Sequence, residues 1–419
     1  MGMHWTEDLC IMGNGVIGCL TAVLAARSGL RVSLCGPGAP GGKEGSASIA
    51  AGAMLNVFGE IDGRLDDYTE RKLKIGRAGI DAWRKILPAE VFCADKTEVY
   101  VPIGPNPSML ELECFHSIAL ASEATIEHDI LAGKQYMVLR DEPAIDTLKL
   151  FKWMEGELRQ TVRILPNNWW QSGQMSIARK TLWACGVWTP TAMGTEKYPI
   201  LPVFSGVGTA MLLKNLTIDV PPRTVVRTPN RGNTCGVHVV PRGGGYYYVG
   251  AGSYISLEPS TEVRLETIKY LTDCIVRELN ADIWRATMTP VVGNRPVSFD
   301  GKPMLGPLKA TPSFYVATGT KRDGLTYAPV IADDVIRWAT DTERTGVFTG
   351  WEPDRTPISY GPYGQDTFVA NRVAAMSAHG RMTDKQAAAI EYDQACMRAR
   401  EKYNLPLHYK LHPEIAAVM

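Results

Sequence analysis

The chain has 419 residues, with 44 basic and 44 acidic side chains, 45% hydrophobic and 21% charged positions. That length supports two or three domains with a buried core, and the balanced charge gives no general attraction to nucleic acid or an anionic membrane. There is no long apolar run or basic-then-apolar leader, and the nine cysteines lack C-x-x-C or zinc-ligand spacing; a cytoplasmic, reduced protein without metal or membrane anchor is expected.

The first predicted element is an apolar strand over residues 8–12, which runs into Gly13-Asn-Gly15-Val16-Ile17-Gly18. A helix-like stretch over 19–28 and a second apolar strand over 30–35 follow. Strand, glycine turn, helix and strand form the βαβ unit that grips a dinucleotide. Gly13 permits the tight turn, Gly15 lets backbone approach a pyrophosphate, and Gly18 lets the helix pack on the strand. The phosphates then face the helix N-terminus, where Val16 and Ile17 lie. The second strand ends in Ser33-Leu-Cys35-Gly-Pro37, without the acid that usually holds a ribose. Backbone groups or Ser33 are left for that task.

Residues 45–55 are dense in small side chains, including Ser46, Ser48, Ala51 and Gly52, with Met54 near the end. Such a run implies backbone lying against a large flat ligand; a helix of small residues is the alternative. Residues 63–88 read as one helix, with Leu65, Tyr68, Leu73, Ile80, Trp83 and Ile86 on a face. Residues 261–279 read as another, burying Val263, Ile268, Leu271, Ile275 and Val276. Trp169 and Trp170 read as packing residues. Thr383-Asp-Lys-Gln386 reads as a capping box that opens a helix to about Tyr403, stopped by Asn404 and Pro406.

Five blocks, in order, resemble the D-amino-acid oxidase/glycine oxidase superfamily of flavoproteins. Besides the glycine turn with its small-residue segment, they are Leu182-Trp-Ala-Cys-Gly186-Val-Trp188; Val237-His238-Val-Val-Pro241 with Tyr247-Tyr-Val-Gly250; Gly293-Asn-Arg295-Pro296 with Asp300-Gly-Lys-Pro303; and Tyr315-Val-Ala-Thr-Gly319 through Gly324-Leu325 to Pro329. The resemblance implies an α/β fold: a Rossmann-type FAD-binding domain, an antiparallel-sheet substrate domain and a helical C-terminal extension. The expected division is 1–90, 145–215 and 289–345 for FAD, 91–144 and 216–288 for substrate, and 346–419 for the extension, which lies outside the family's pattern. That extension reads as a subunit arm, a brace or part of a lid.

The resemblance implies FAD, non-covalently bound, because no cysteine or histidine stands between Arg295 and Gly301 where flavinylated relatives attach it. Gly186, Trp188 and Gly319 join the turn and small-residue positions as cofactor contacts. Gly324 and Leu325 are expected to give amides to the flavin pyrimidine, beside Lys321, Arg322 and Asp323. Arg295 is the expected anchor for a substrate carboxylate, with an internal pair to Asp300 as the alternative. His238 stands where relatives carry a tyrosine, so it is either an altered pocket group or a packing residue. Tyr246 and Tyr248 share one strand face and Tyr247 takes the other; Tyr246 is counted with His238, Arg295 and Lys321 as a catalytic candidate.

These features imply hydride removal from a small amine or amino acid, in a specialised biosynthetic setting. The electron acceptor, oxygen or another, is left open, since the strand 249–253 lacks the lysine that some relatives use to activate oxygen. Oxidation of a 2-hydroxy acid or polyol phosphate, or a flavin-bearing scaffold subunit, is the alternative, and a homo-oligomer remains open.

Overall fold

A computed structural model describes residues 6–61, 63, 65–93, 99–103, 109–122, 124–128, 135–166, 178–194, 197–214, 224–228, 236–278, 284–378 and 383–419. Trp169 and Trp170 lie outside them. In chain order the strands are β1 (Glu7–Met12), β2 (Val32–Cys35), β3 (Gly45–Ser46), β4 (Val99–Ile103), β5 (Thr125–His128), β6 (Gln135–Leu139), β7 (Arg163–Leu165), β8 (Ala178–Trp183), β9 (Val203–Lys214), β10 (Val225–Arg227), β11 (His238–Pro241), β12 (Tyr246–Ser256), β13 (Thr287–Ser298), β14 (Met304–Pro307) and β15 (Phe314–Thr318). The helices are α1 (Val16–Arg27), α2 (Asp67–Ile86), α3 (Met109–Ala121), α4 (Thr147–Thr161), α5 (Thr189–Met193), α6 (Leu265–Glu278), α7 (Gly324–Ala339), α8 (Gly361–Ala378), α9 (Lys385–Tyr403) and α10 (Pro413–Ala416). Among the described residues no helix is long and apolar enough to cross a membrane.

The first sheet has the order β14-β15-β8-β1-β2-β7, parallel except for β14. Its central strands are apolar on both faces because both are covered: Leu9, Ile11 and Leu182 are fully buried on the side of α1 and α7, and Cys10, Met12 and Trp183 pack on the other with Met193 and Leu308. The expected βαβ unit is present. A Cβ on Gly18 would stand 1.8 Å from the Gly13 carbonyl oxygen, so only glycine lets α1 start directly on the turn. Gly13 itself has φ +111°, outside the range that side-chain-bearing residues favour.

α2 starts at the side chain of Asp66, which accepts from the Thr69 N–H, and it buries Ile75, Ile80 and Trp83. It approaches the first turn of α7 so closely that a Cβ on Gly79 would lie 2.0 Å from the Thr326 carbonyl oxygen. The Trp83 indole N–H donates to the Leu325 carbonyl at 2.8 Å. Together these contacts fix where α7 begins.

The second sheet has the order β3-β13-β9-β12-β11-β10-β4-β6-β5 and is antiparallel except at β3–β13 and β10–β4. β9 and β13, which the sequence division grouped with the cofactor pieces, pair here. α6 covers this sheet through Leu271, Cys274 and Ile275. Val263 precedes its first turn and is exposed, so it is not part of the buried side.

The C-terminal extension holds α8, α9 and α10. Asp384, rather than Thr383, caps α9, accepting from the Ala387 N–H at 2.6 Å. Asn404 ends the helix in the left-handed conformation. The extension buries Tyr392, Ala395, Leu411 and Ile415 against Phe204, Val297 and Phe299 from the ends of β9 and β13.

Candidate active site

A cavity of about 500 Å³ lies between the C-terminal ends of β1, β2 and β8 and one face of the second sheet. It gathers Gly13, Gly15, Val16 and Ile17 from the turn, and Ser46, Ser48, Ala51, Gly52 and Met54 from the small-residue segment. Gly186, Trp188, His238, Arg295 and the run from Lys321 to Leu325 complete the expected set. Two expected residues are elsewhere. Gly319 supports the turn before α7, where a Cβ would stand 3.2 Å from the Met304 nitrogen. Tyr246 is exposed at the start of β12 beside Lys214. Tyr248, two positions on and on the same face, takes the cavity position.

At one end the first turn of α1 faces the cavity. Gly15 caps the helix without a side chain, and no acid stands in that turn. The Val16 N–H donates to Ser48 Oγ at 3.1 Å. A Cβ on Gly186 would meet nothing within 4 Å, so the β8 turn leaves space beside this helix end. Asn14 holds the loop after β2 by donating to the carbonyls of Pro37, Gly38 and Ala39. Amide hydrogens and the helix dipole at a glycine-lined opening fit an anionic diphosphate.

The small-residue segment is not a helix. Gly45 and Ser46 pair with Gly293 and Asn294, and the remainder is turn and extended chain. Its carbonyls are tied to the second sheet: Tyr248 OH donates to Ala50 O at 2.8 Å, and Arg242 Nη2 donates to Ala51 O at 2.7 Å and Gly52 O at 3.1 Å. Side chains thus bind the segment to the sheet, while Ala50, Ala51 and Gly52 line a flat cavity wall. A Cβ on Gly52 would stand 2.8 Å from His238 Nε2 and from the Tyr248 ring, so glycine admits both rings.

At the other end, α7 begins at Asp323 without a side-chain cap on its own N–H groups, and Gly324, Leu325 and Thr326 line the cavity. Asp323 pairs with Lys72 at 3.1 Å. This second positive helix end suits the polar edge of a ring system.

Arg295 extends from β13 across β9, where a Cβ on Gly208 would stand 2.5 Å from Nη2. Arg295 Nη1 donates to Ser253 Oγ at 3.0 Å. Asp300, the alternative partner raised by the sequence, is instead bound by Arg355 at 2.6 and 3.1 Å. His238 stacks on Tyr248 with centroids 5.7 Å apart and rings within 16° of parallel. Burial, reinforced by the Arg227 charge, depresses its pKa to about 3, so the imidazole is neutral at ordinary pH.

Sequence reasoning missed Glu60 and Arg227, both of which line the cavity. Glu60 joins Arg322 at 2.9 Å and Arg227 at 3.3 Å. Burial alone would raise its pKa, but the two guanidiniums hold the carboxyl down at about 2. An arginine ending the apolar strand Val225-Val-Arg227 was the available signal, because such a charge needs a partner.

The family described as DAO, FAD-dependent oxidoreductase, matches residues 8–338. No curated protein matches the chain. Among solved structures, glycine oxidase from Geobacillus kaustophilus is similar at 18% identity and a TM-score of 0.68, covering 84% of this chain and all of that one. Iminodiacetate oxidase from Chelativorans sp. BNC1 is similar at 14% identity and a TM-score of 0.68, with the same two coverages. L-alpha-glycerophosphate oxidase from Mycoplasma pneumoniae, solved with FAD bound, is similar at 16% identity and a TM-score of 0.64, covering 84% of this chain and 97% of that one.

Proposed function

The chain belongs to the DAO family of FAD-dependent oxidoreductases, and from that membership we propose that it oxidises the C–N bond of a small amine or amino acid. FAD bound here would supply the two-electron acceptor for the hydride that leaves the substrate carbon. The first turn of α1, with Gly13, Gly15, Val16 and Ile17, would hold the diphosphate, and Ser46, Ser48, Ala51, Gly52 and Met54 would line the ring. Gly186, Trp188 and the start of α7 at Asp323, Gly324 and Leu325 complete the enclosure. The glycine-lined openings and uncapped helix ends fit such a group, held non-covalently.

Arg295 binds the substrate carboxylate through two parallel N–H···O bonds. Ser253 and Gly208 set the direction of the fork, so the substrate's far end is fixed and its reacting carbon is oriented. His238 offers Nε2 as a neutral hydrogen-bonding group, and Tyr248 buttresses its ring.

One observation carries the choice of amine over hydroxyl. Two titratable groups that line the cavity are poor proton acceptors: Glu60 is already held in ion pairs by Arg322 and Arg227, and burial disfavours the charged form of His238, which is stacked on Tyr248. A hydroxyl must surrender its proton as hydride leaves, which calls for a base with a pKa near the working pH. An amine gives up its extra proton to solvent before binding and then needs no strong base.

Arg295→Ala tests the reading. FAD is retained and substrate affinity falls by about 2–4 kcal/mol, the usual loss for a charge-paired contact. A variant that binds substrate normally, or that cannot hold FAD, contradicts the assignment.

A further inference from the structure

We propose that Glu414, in the segment beyond the family match, is a positioning residue for the cofactor site: its ion pair with Lys321 sets the charge that the polar edge of the flavin meets. The inference rests on the placement of the flavin ring beside Lys321 and the first turn of α7.

Lys321 lines the cavity, and its backbone is fixed: φ is +48° and its N–H donates to the Pro296 carbonyl at 2.9 Å, one residue from Arg295. Its ammonium lies 2.7 Å from Glu414 Oε2. The carboxylate is equally fixed, because the tail is bound to the Asp300–Lys302 turn before it reaches Lys321. Arg355 forks onto the Asp300 carboxylate, the Ile358 N–H donates to the same group at 3.1 Å, and Tyr360 OH donates to the Asp300 carbonyl. Gly301 has φ +72°, and a Cβ there would stand 2.5 Å from the His412 ring. His412 Nδ1 in turn accepts from the Glu414 N–H at 3.2 Å.

Burial alone would raise the Glu414 pKa, but Lys321 and His412 hold it at about 2, so it is ionised at any working pH. A closed ion pair presents a dipole to its surroundings, whereas either member left alone presents a whole charge. Reduction adds negative charge to the ring system, so the pair balances a group that would otherwise pull the equilibrium one way.

The test uses full-length, FAD-loaded protein carrying Lys321→Met, Glu414→Gln or both, with the midpoint potential of the bound flavin read against reference dyes. Lys321→Met lowers the potential and Glu414→Gln raises it. Each change is on the order of tenfold in the reduced-to-oxidised ratio at a fixed poise, or about 30 mV for a two-electron couple. The double variant returns to within about threefold of the parent, because the pair is neutral as a whole. Unmoved potentials, or two single variants shifting the same way, overturn the proposal. Loss of FAD or of melting temperature in Glu414→Gln that persists in the double variant makes Glu414 a brace and also overturns it. Arg295→Ala separates the causes: if it weakens substrate binding while the potentials stay put, only this inference fails.

Discussion

Gly208→Ala moves the substrate anchor without removing it. Gly208 sits on β9 between Gly293 of β13 and Ser253 of β12. The added methyl would stand 2.5 Å from Arg295 Nη2, 2.7 Å from Cζ and 2.9 Å from Nη1. Ordinary contact needs about 3.5 Å or more, so the guanidinium must retreat by roughly 1 Å and strain its 3.0 Å bond to Ser253. Because the clash falls on the far end of a flexible side chain, rotamer strain of about 0.5–1.5 kcal/mol covers the cost to stability. A displacement of about 1 Å in a positioning group reduces rate by roughly 10²-fold, or about 2.7 kcal/mol in the barrier. Anaerobic stopped-flow measurement of flavin reduction reads the rate, and FAD content with thermal melting reads the fold. Reduction at the parent rate would refute the role given to Arg295. A colourless or unfolded variant would show that the glycine serves the sheet instead.

Glu60→Gln leaves Arg227 and Arg322 without their shared carboxylate, and lowers unfolding stability at neutral pH by about 3–5 kcal/mol, measured in urea. The folded pKa of Glu60 is depressed from 4.5 to about 2, so its contribution is complete above about pH 4.5 and is lost as pH falls through 2. The parent therefore loses about 3 kcal/mol more than the variant over that window; parallel acid-melting curves would contradict this. Arg355→Leu strands the buried Asp300 charge, with a loss of about 3–5 kcal/mol and a parallel fall in FAD retention. Unchanged melting would mean that the extension is not coupled to the Asp300–Lys302 turn.

The cofactor half was legible because its signals are local. Glycines at 13, 15 and 18 and the small residues after 45 answer steric demands that each segment meets by itself. The facing of β12 was half legible: alternation placed Tyr246 and Tyr248 together, but which one is covered depends on where the strand leaves β9 and β11. Glu60 was invisible because its stretch, Asn56-Val-Phe-Gly-Glu60, becomes a site only when β10 brings Arg227 and the α7 turn brings Arg322. Gly208 carried no usable signal, since the glycines at 206 and 208 in one strand do not name the side chain they admit. The extension's helix could be placed from its cap and stop residues, yet its contacts with Asp300, Gly301 and Lys321 join positions more than fifty residues apart.

The most direct measurement mixes the purified yellow protein anaerobically with matched series of small amino acids, amines and 2-hydroxy acids, and follows bleaching of the flavin. Reduction by members of the amine series, with no break in rate near the ordinary pKa of histidine, is the expected result. Bleaching by hydroxy acids alone would contradict the amine substrate, and a rate that rises through a group titrating near pH 6.5 would contradict the neutral, buried His238.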